Sequence, residues 1–242
     1  MTAATAHAQL IDDLVDANHI LFHQGIVDAF GHVSGRHGAH SERFLLARNV
    51  APGLVTAADI LEYDVASGEA LMADPPRLYL ERYIHSEIYK ARPDVMAVVH
   101  NHSPAVIPFG LVKGAALKPV CHMCGFLGTG PALFEIRDCA GDASDLLIRN
   151  RSLGAALAQS LGDGRVVLMR GHGCTIVAES LRVAIYRAVY TELNAKLLLQ
   201  ALPLGDVQYL TAAEADATRI TNEGQAERPW NLWKQLAREA AR

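Results

Sequence analysis

Apolar and polar positions along this chain recur in two distinct periods. Over residues 8–24, Leu10, Ile11, Leu14, Val15, Ile20 and Leu21 return at helical spacing and predict an opening amphipathic helix. Residues 31–38 and 43–47 read as two short strands joined by a Gly/His/Ser-rich turn, and 56–61 as a single helical turn before a hairpin-like segment at 64–69. Between positions 80 and 91, Tyr83, Ile84, Ile88 and Tyr89 mark a second amphipathic helix. Arg92-Pro93-Asp94 ends it, because the residue before a proline is driven out of helical conformation. A strand follows at 96–99.

The Gly/Pro-rich stretch 108–141 is the least regular part and is expected to cover a site. Beyond it the pattern predicts a helix at 152–160, strands at 166–169 and 175–178, and a long helix from 181 towards 199. The Ala/Glu/Arg-rich end, helical from about 205, carries Trp230 and Trp233 at i, i+3, a packing anchor on this subunit or on a neighbour. Nothing in 242 residues repeats or looks like a linker, so one α/β domain over 1–242 is expected.

Composition narrows the classes. A net charge of -4 without a basic run argues against nucleic acid. The N-terminus lacks the cationic and apolar regions of a signal peptide, and no apolar stretch approaches the ~20 residues of a membrane span. Four cysteines make no disulfide framework, and Cys121-His122-Met123-Cys124 has no second pair to complete a zinc site. A cytoplasmic protein is expected.

The chemistry concentrates in Ala97-Val98-Val99-His100-Asn101-His102. Side chains alternate faces along a strand, so His100 and His102 point the same way and can grip one divalent ion if a third ligand joins them. Arg170-Gly171-His172-Gly173, after the apolar run 166–169, offers that ligand, and Glu81 opens the helix leading into the strand. Three imidazoles and a carboxylate so arranged suit an enzyme that handles negative charge beside a carbonyl or phenol oxygen. They accept zinc, manganese, iron or cobalt alike.

Glu81, Arg92-Pro93-Asp94, the His100/His102 segment and Gly171-His172-Gly173 resemble, in order and spacing over residues 10–199, the class II aldolase/adducin family. The resemblance implies an α/β/α sandwich around a mostly antiparallel sheet. It implies a metal on His100, His102 and His172, Glu81 as acid/base with His32 and His122 as further candidates, and a cyclic homotetramer with sites between subunits.

Departures from the family's sugar-phosphate aldolases suggest the subgroup. Their phosphate-binding motifs are replaced here by Gly31-His32-Val33-Ser34, Ala47-Arg48-Asn49-Val50 and Leu78-Tyr79-Leu80. The first of these, with Pro104 to Phe109 and Leu168 to Gly173, looks like the family's decarboxylases of ortho-hydroxylated aromatic or pyridine dicarboxylates. Arg48 and Ser34 are then expected to hold a ring carboxylate. His32 as a turn residue and Arg48 as a plain surface charge stay open beside those roles. The alternatives are an aldolase, for a non-phosphorylated or a sugar-phosphate aldol, and a catalytically silent interaction module. The second would be expected to have lost the metal ligands.

Overall fold

The computed structural model describes residues 2–240. Seven strands form one sheet: β1 (His32–Arg36), β2 (Arg43–Ala47), β3 (Ile60–Asp64), β4 (Ala97–Asn101), β5 (Ala132–Phe134), β6 (Val166–Met169) and β7 (Gly173–Ala178). Their spatial order is β3-β2-β1-β4-β7-β6-β5, antiparallel throughout except for β5 beside β6. The helices are α1 (Ala3–His23), α2 (Arg82–Ala91), α3 (Ile107–Leu111), α4 (Arg137–Ala140), α5 (Arg151–Leu161), α6 (Leu181–Ala201), α7 (Ala212–Glu223) and α8 (Glu227–Ala240). Among the described residues no helix is long and apolar enough to cross a membrane.

Strand β1 shows how the layers form. Successive residues of a strand face opposite ways. Ser34 bonds His85 and Tyr89 of α2, while Gly35 abuts Leu10 of α1. Helix α1 packs with α6 and α8 on one face, and α2 packs with α5 on the other, giving the expected α/β/α sandwich. A Cβ at Gly154 of α5 would stand 2.4 Å from the Tyr83 carbonyl oxygen, so that helix contact requires the missing side chain. At the centre of the sheet β4 is buried along its whole length, which explains its run of Ala97, Val98 and Val99.

Three expectations are corrected. Only Ala57–Asp59 forms the helical turn. Ile60 and Leu61 belong to β3, because all five of its residues find partners on β2. The irregular stretch 108–141 contains β5, a three-residue parallel edge too short to show a period. The C-terminal end is two helices, and its tryptophans point inward: Trp230 and Trp233 are 2% and 8% exposed within this chain. Salt bridges from Lys234 and Arg238 to Asp16 fasten α8 to α1, and Trp233 packs near Tyr190 of α6. The tryptophans therefore anchor the helical layer of their own chain rather than a neighbour's site. Trp230→Ala should cost about 3–5 kcal/mol of stability, read as a lower urea midpoint.

Candidate metal centre and its cleft

Register assembles the site. In the sheet His32 lies opposite His100, and His100 opposite Thr175. The chain leaves β4 at Asn101, so His102 stands just past the strand end, its ring 5.0 Å from that of His100. His172 comes from the β6–β7 turn. A Cβ on the next residue, Gly173, would fall 2.0 Å from the Asn101 carbonyl oxygen. Glycine there lets the turn close onto β4 and carry the third ring to the other two. Glu81, immediately before α2, completes a group whose ligand atoms all lie within 4.8 Å of one another.

The hydrogen bonds behind the rings show what the group can hold. His172 Nδ1 lies 3.0 Å from the Leu146 carbonyl oxygen, which can only accept, so that nitrogen carries the ring's proton. The Thr175 hydroxyl donates to Met169 Sδ and lies 3.3 Å from His100 Nδ1, leaving its oxygen to accept from that ring. Both Nε2 atoms are then lone pairs, 3.0 and 3.1 Å from His102 Nε2. Nitrogens bonded at about 2.1 Å and at right angles to one ion would stand roughly 3.0 Å apart. Lone pairs converging at that spacing could serve as the donor set of a divalent cation, with Leu146 and Thr175 orienting the rings from behind.

Glu81 Oε2 lies 3.5 Å from the Nε2 atoms of both His100 and His172, and Oε1 accepts from the Ile148 N–H at 2.9 Å. Burial pushes this carboxyl up, but the neighbouring His100 and His172 and the Ile148 bond outweigh it and hold it down at about 2. Burial and the like charge of His100 hold His102 and His172 down at about 4, so both rings are neutral and able to ligate at pH 7.

A cleft of about 230 Å³ opens beside the group, lined by Phe30, His32, Asn49, Arg77, Tyr79, Leu80, Glu81, His102 and Leu147 among others. Of the residues expected there, His32 lines it. Ser34 does not reach it: the side chain is fully buried, its hydroxyl engaged by His85 at 2.6 Å and Tyr89 at 2.8 Å. Arg48 does not line it either, being paired to Asp59 at 2.6 Å. His122 lies exposed in the 122–127 turn against α7, where its carbonyl accepts from Asn222, and the chain does not bring it to Glu81. Nor does stretch 108–141 cover the cleft, whose walls come from 29–32, 49, 77–81, 102 and 147.

Sequence reasoning missed Arg77, an exposed guanidinium without an ion pair among the described residues. It missed His85, fully buried behind His32 at 2.6 Å. The loop carrying Leu146 and Ile148 was missed as well, because its contribution is backbone. Leu146 holds a left-handed φ of 68°, which aims its carbonyl at His172. A second convergent group, His7, His37 and Glu62, is a poor metal site. His37 Nδ1 accepts from the Ala39 and His40 N–H groups, leaving the ring proton on Nε2.

Known proteins resemble this chain in sequence and in fold. The model of the class II aldolase and adducin N-terminal domain matches residues 12–199. Decarboxylase tropJ of Talaromyces stipitatus is 38% identical over 237 residues, 89% of each chain. The 3,4-dihydroxyphthalate decarboxylase of Arthrobacter keyseri is 30% identical over 97% of this chain and 96% of its own. Among solved structures, an L-fuculose 1-phosphate aldolase from Glaciozyma antarctica aligns with a TM-score of 0.80 at 22% identity, covering 100% of this chain and 94% of that one. That likeness shows the fold.

Two outcomes are expected. Replacing His100, His102 or His172 with Ala should abolish stoichiometric metal in elemental analysis while the far-UV spectrum stays native. In metal-free protein the buried neutral rings oppose protonation. As pH falls from the ordinary imidazole value of 6.5 towards about 4, the unfolded chain takes up protons that His102 and His172 refuse. Stability is therefore full above that window and lost within it, so the unfolding temperature of chelated protein should drop before the carboxylate range is reached.

Proposed function

The chain belongs to the class II aldolase and adducin family, and from that premise we propose that it is a metal-dependent, non-oxidative decarboxylase of an ortho-hydroxylated aromatic or heteroaromatic acid. The observation that carries this reading is the composition of the cleft beside the three imidazoles. Tyr79, Leu80, Phe30 and Leu147 supply flat and apolar walls, and Arg77 and Asn49 supply polar anchors. A planar ring bearing carboxylates fits those walls better than a polyol phosphate. The names of the relatives support the same reaction. We further propose a single-domain enzyme working as a homotetramer, in which a neighbouring copy closes the mouth left open by exposed Phe30 and Leu80. His122 has a part in this reading only if that neighbour brings it.

A divalent ion held by His100, His102 and His172 supplies a Lewis acid for the oxygen beside the reacting carbon. The chain's own residues do the rest. Glu81 is ionised at rest, so Oε2 can take the proton of the ortho hydroxyl as substrate binds. Glu81 then delivers that proton to the ring carbon bearing the carboxylate, which turns the adjacent C–O into a carbonyl. The carbon–carboxylate bond breaks, carbon dioxide leaves, and the bond's electron pair flows to that oxygen, restoring the aromatic ring as a phenolate that water reprotonates on release. Arg77 holds a second carboxylate in a two-pronged bond, which charge alone cannot replace.

Glu81→Gln should lower kcat by about 10²–10⁴-fold with metal content retained. Arg77→Lys should raise KM about tenfold through loss of the fork, whereas Arg48→Lys should leave KM within about twofold. The deciding assay is carbon dioxide release from a panel of ortho-hydroxy aromatic and pyridine dicarboxylates. Cleavage of fuculose or ribulose phosphate, with no carbon dioxide from any panel member, would place the chain with the aldolases instead.

A further inference from the structure

Behind the cleft runs a closed chain of side chains. His32 Nδ1 meets His85 Nε2 at 2.6 Å, His85 Nδ1 meets Ser34 Oγ at 2.6 Å, and Ser34 Oγ meets the Tyr89 hydroxyl at 2.8 Å. All four residues are buried, at 4% exposure or less. Each neutral imidazole has one N–H and one lone pair, and each hydroxyl has one hydrogen, so the chain can run in two directions; a third arrangement, with Ser34 accepting from both His85 and Tyr89, orphans the buried Ser34 hydrogen. In one, His32 donates to His85, His85 to Ser34 and Ser34 to Tyr89. The Tyr89 hydrogen then has nowhere to go, since among the described residues this hydroxyl meets no acceptor other than Ser34 Oγ. In the other, Tyr89 donates to Ser34, Ser34 to His85 and His85 to His32, and the one hydrogen left over sits on His32 Nε2, on the residue that lines the cleft, where solvent or ligand can accept it. An orphaned buried donor is costly enough to decide between them.

We infer that His85, Ser34 and Tyr89 are positioning residues that fix His32 as the Nε2–H tautomer and so present an N–H donor to the cleft. Nε2 lies on the side of the ring away from His85, and His32 lines the cleft. A donor there fits an anionic oxygen of the ligand, a carboxylate or phenolate, and does not fit a base that must receive a proton. His32 thus binds, and the moving proton is left to Glu81. That consequence rests on the proposed decarboxylase chemistry, whereas the tautomer does not. It is read without substrate, so a failed decarboxylase assay leaves it standing, and a wrong tautomer leaves the decarboxylase assay untouched.

The test is a two-bond 15N–1H correlation spectrum of zinc-loaded, histidine-labelled protein at neutral pH, with His32 assigned by its absence in His32→Asn. The wild type should show one His32 species, protonated at Nε2. Protonation at Nδ1 overturns the inference whatever the variants do. Ser34→Ala removes the hydroxyl that gives the chain its direction, so the spectrum should split into both tautomers. Ser34→Thr, which keeps the hydroxyl, should restore the single species. A single unchanged Nε2–H species in folded Ser34→Ala would also overturn it, because something other than this chain would then set the ring.

Discussion

A neutral imidazole has one proton to place, and most of this site follows from where each buried ring places it. His100 turns its proton towards Thr175 and His172 turns its own towards the Leu146 carbonyl. With those positions taken, the opposite nitrogens have nothing to offer each other but lone pairs. Their convergence on His102 is unfavourable without a cation and strongly favourable with one. The sheet register enforces it, since His32, His100 and Thr175 sit on adjacent strands β1, β4 and β7. No single strand contains the site. It forms only when the three pair, so folding and ligand placement are one event.

How much of this can be read from residues alone depends on whether the information is local. The His-x-His pair is local, since strand alternation puts both rings on one face before any partner is known. The β-branched run at Ala97 to Val99 and the glycines around His172 are local too. Arg77 and Arg48 are not: both are arginines in loops of similar composition, and only the fold pairs Arg48 with Asp59 and leaves Arg77 beside Tyr79. A turn bond from the Asn49 N–H to the Arg77 carbonyl joins the two loops. The place on the cleft wall expected of Arg48 is therefore occupied, across that bond, by Arg77 of the facing loop. Ser34 differs from expectation for a similar reason: it sits on β1, but α2 covers that face of the strand and takes the hydroxyl.

The tryptophans carry the same lesson for packing. Two tryptophans near a chain end are costly to expose, and sequence cannot say what covers them. Here Asp16 of α1 collects both Lys234 and Arg238, drawing α8 down so that Trp230 and Trp233 close over the layer formed by α1 and α6. Both indoles are therefore spent on contacts within their own chain.

The loop that joins α4 to α5 shapes the site through its backbone. Leu146 adopts a backbone conformation that disfavours any side chain, at a cost of about 1–3 kcal/mol. In that conformation its carbonyl meets His172, and two residues later the Ile148 N–H meets Glu81. One short segment thus sets the proton of His172 in the candidate metal centre and the orientation of the carboxylate facing it. Leu147, between them, forms part of the cleft wall. Because the same backbone shapes the His172 ring, the Glu81 carboxylate and the cleft wall, a shift of this loop would move all three together. Leu146→Gly would relieve that strain but free the carbonyl to turn away from His172, so the ring's proton would no longer be fixed although no side chain of the cleft had changed.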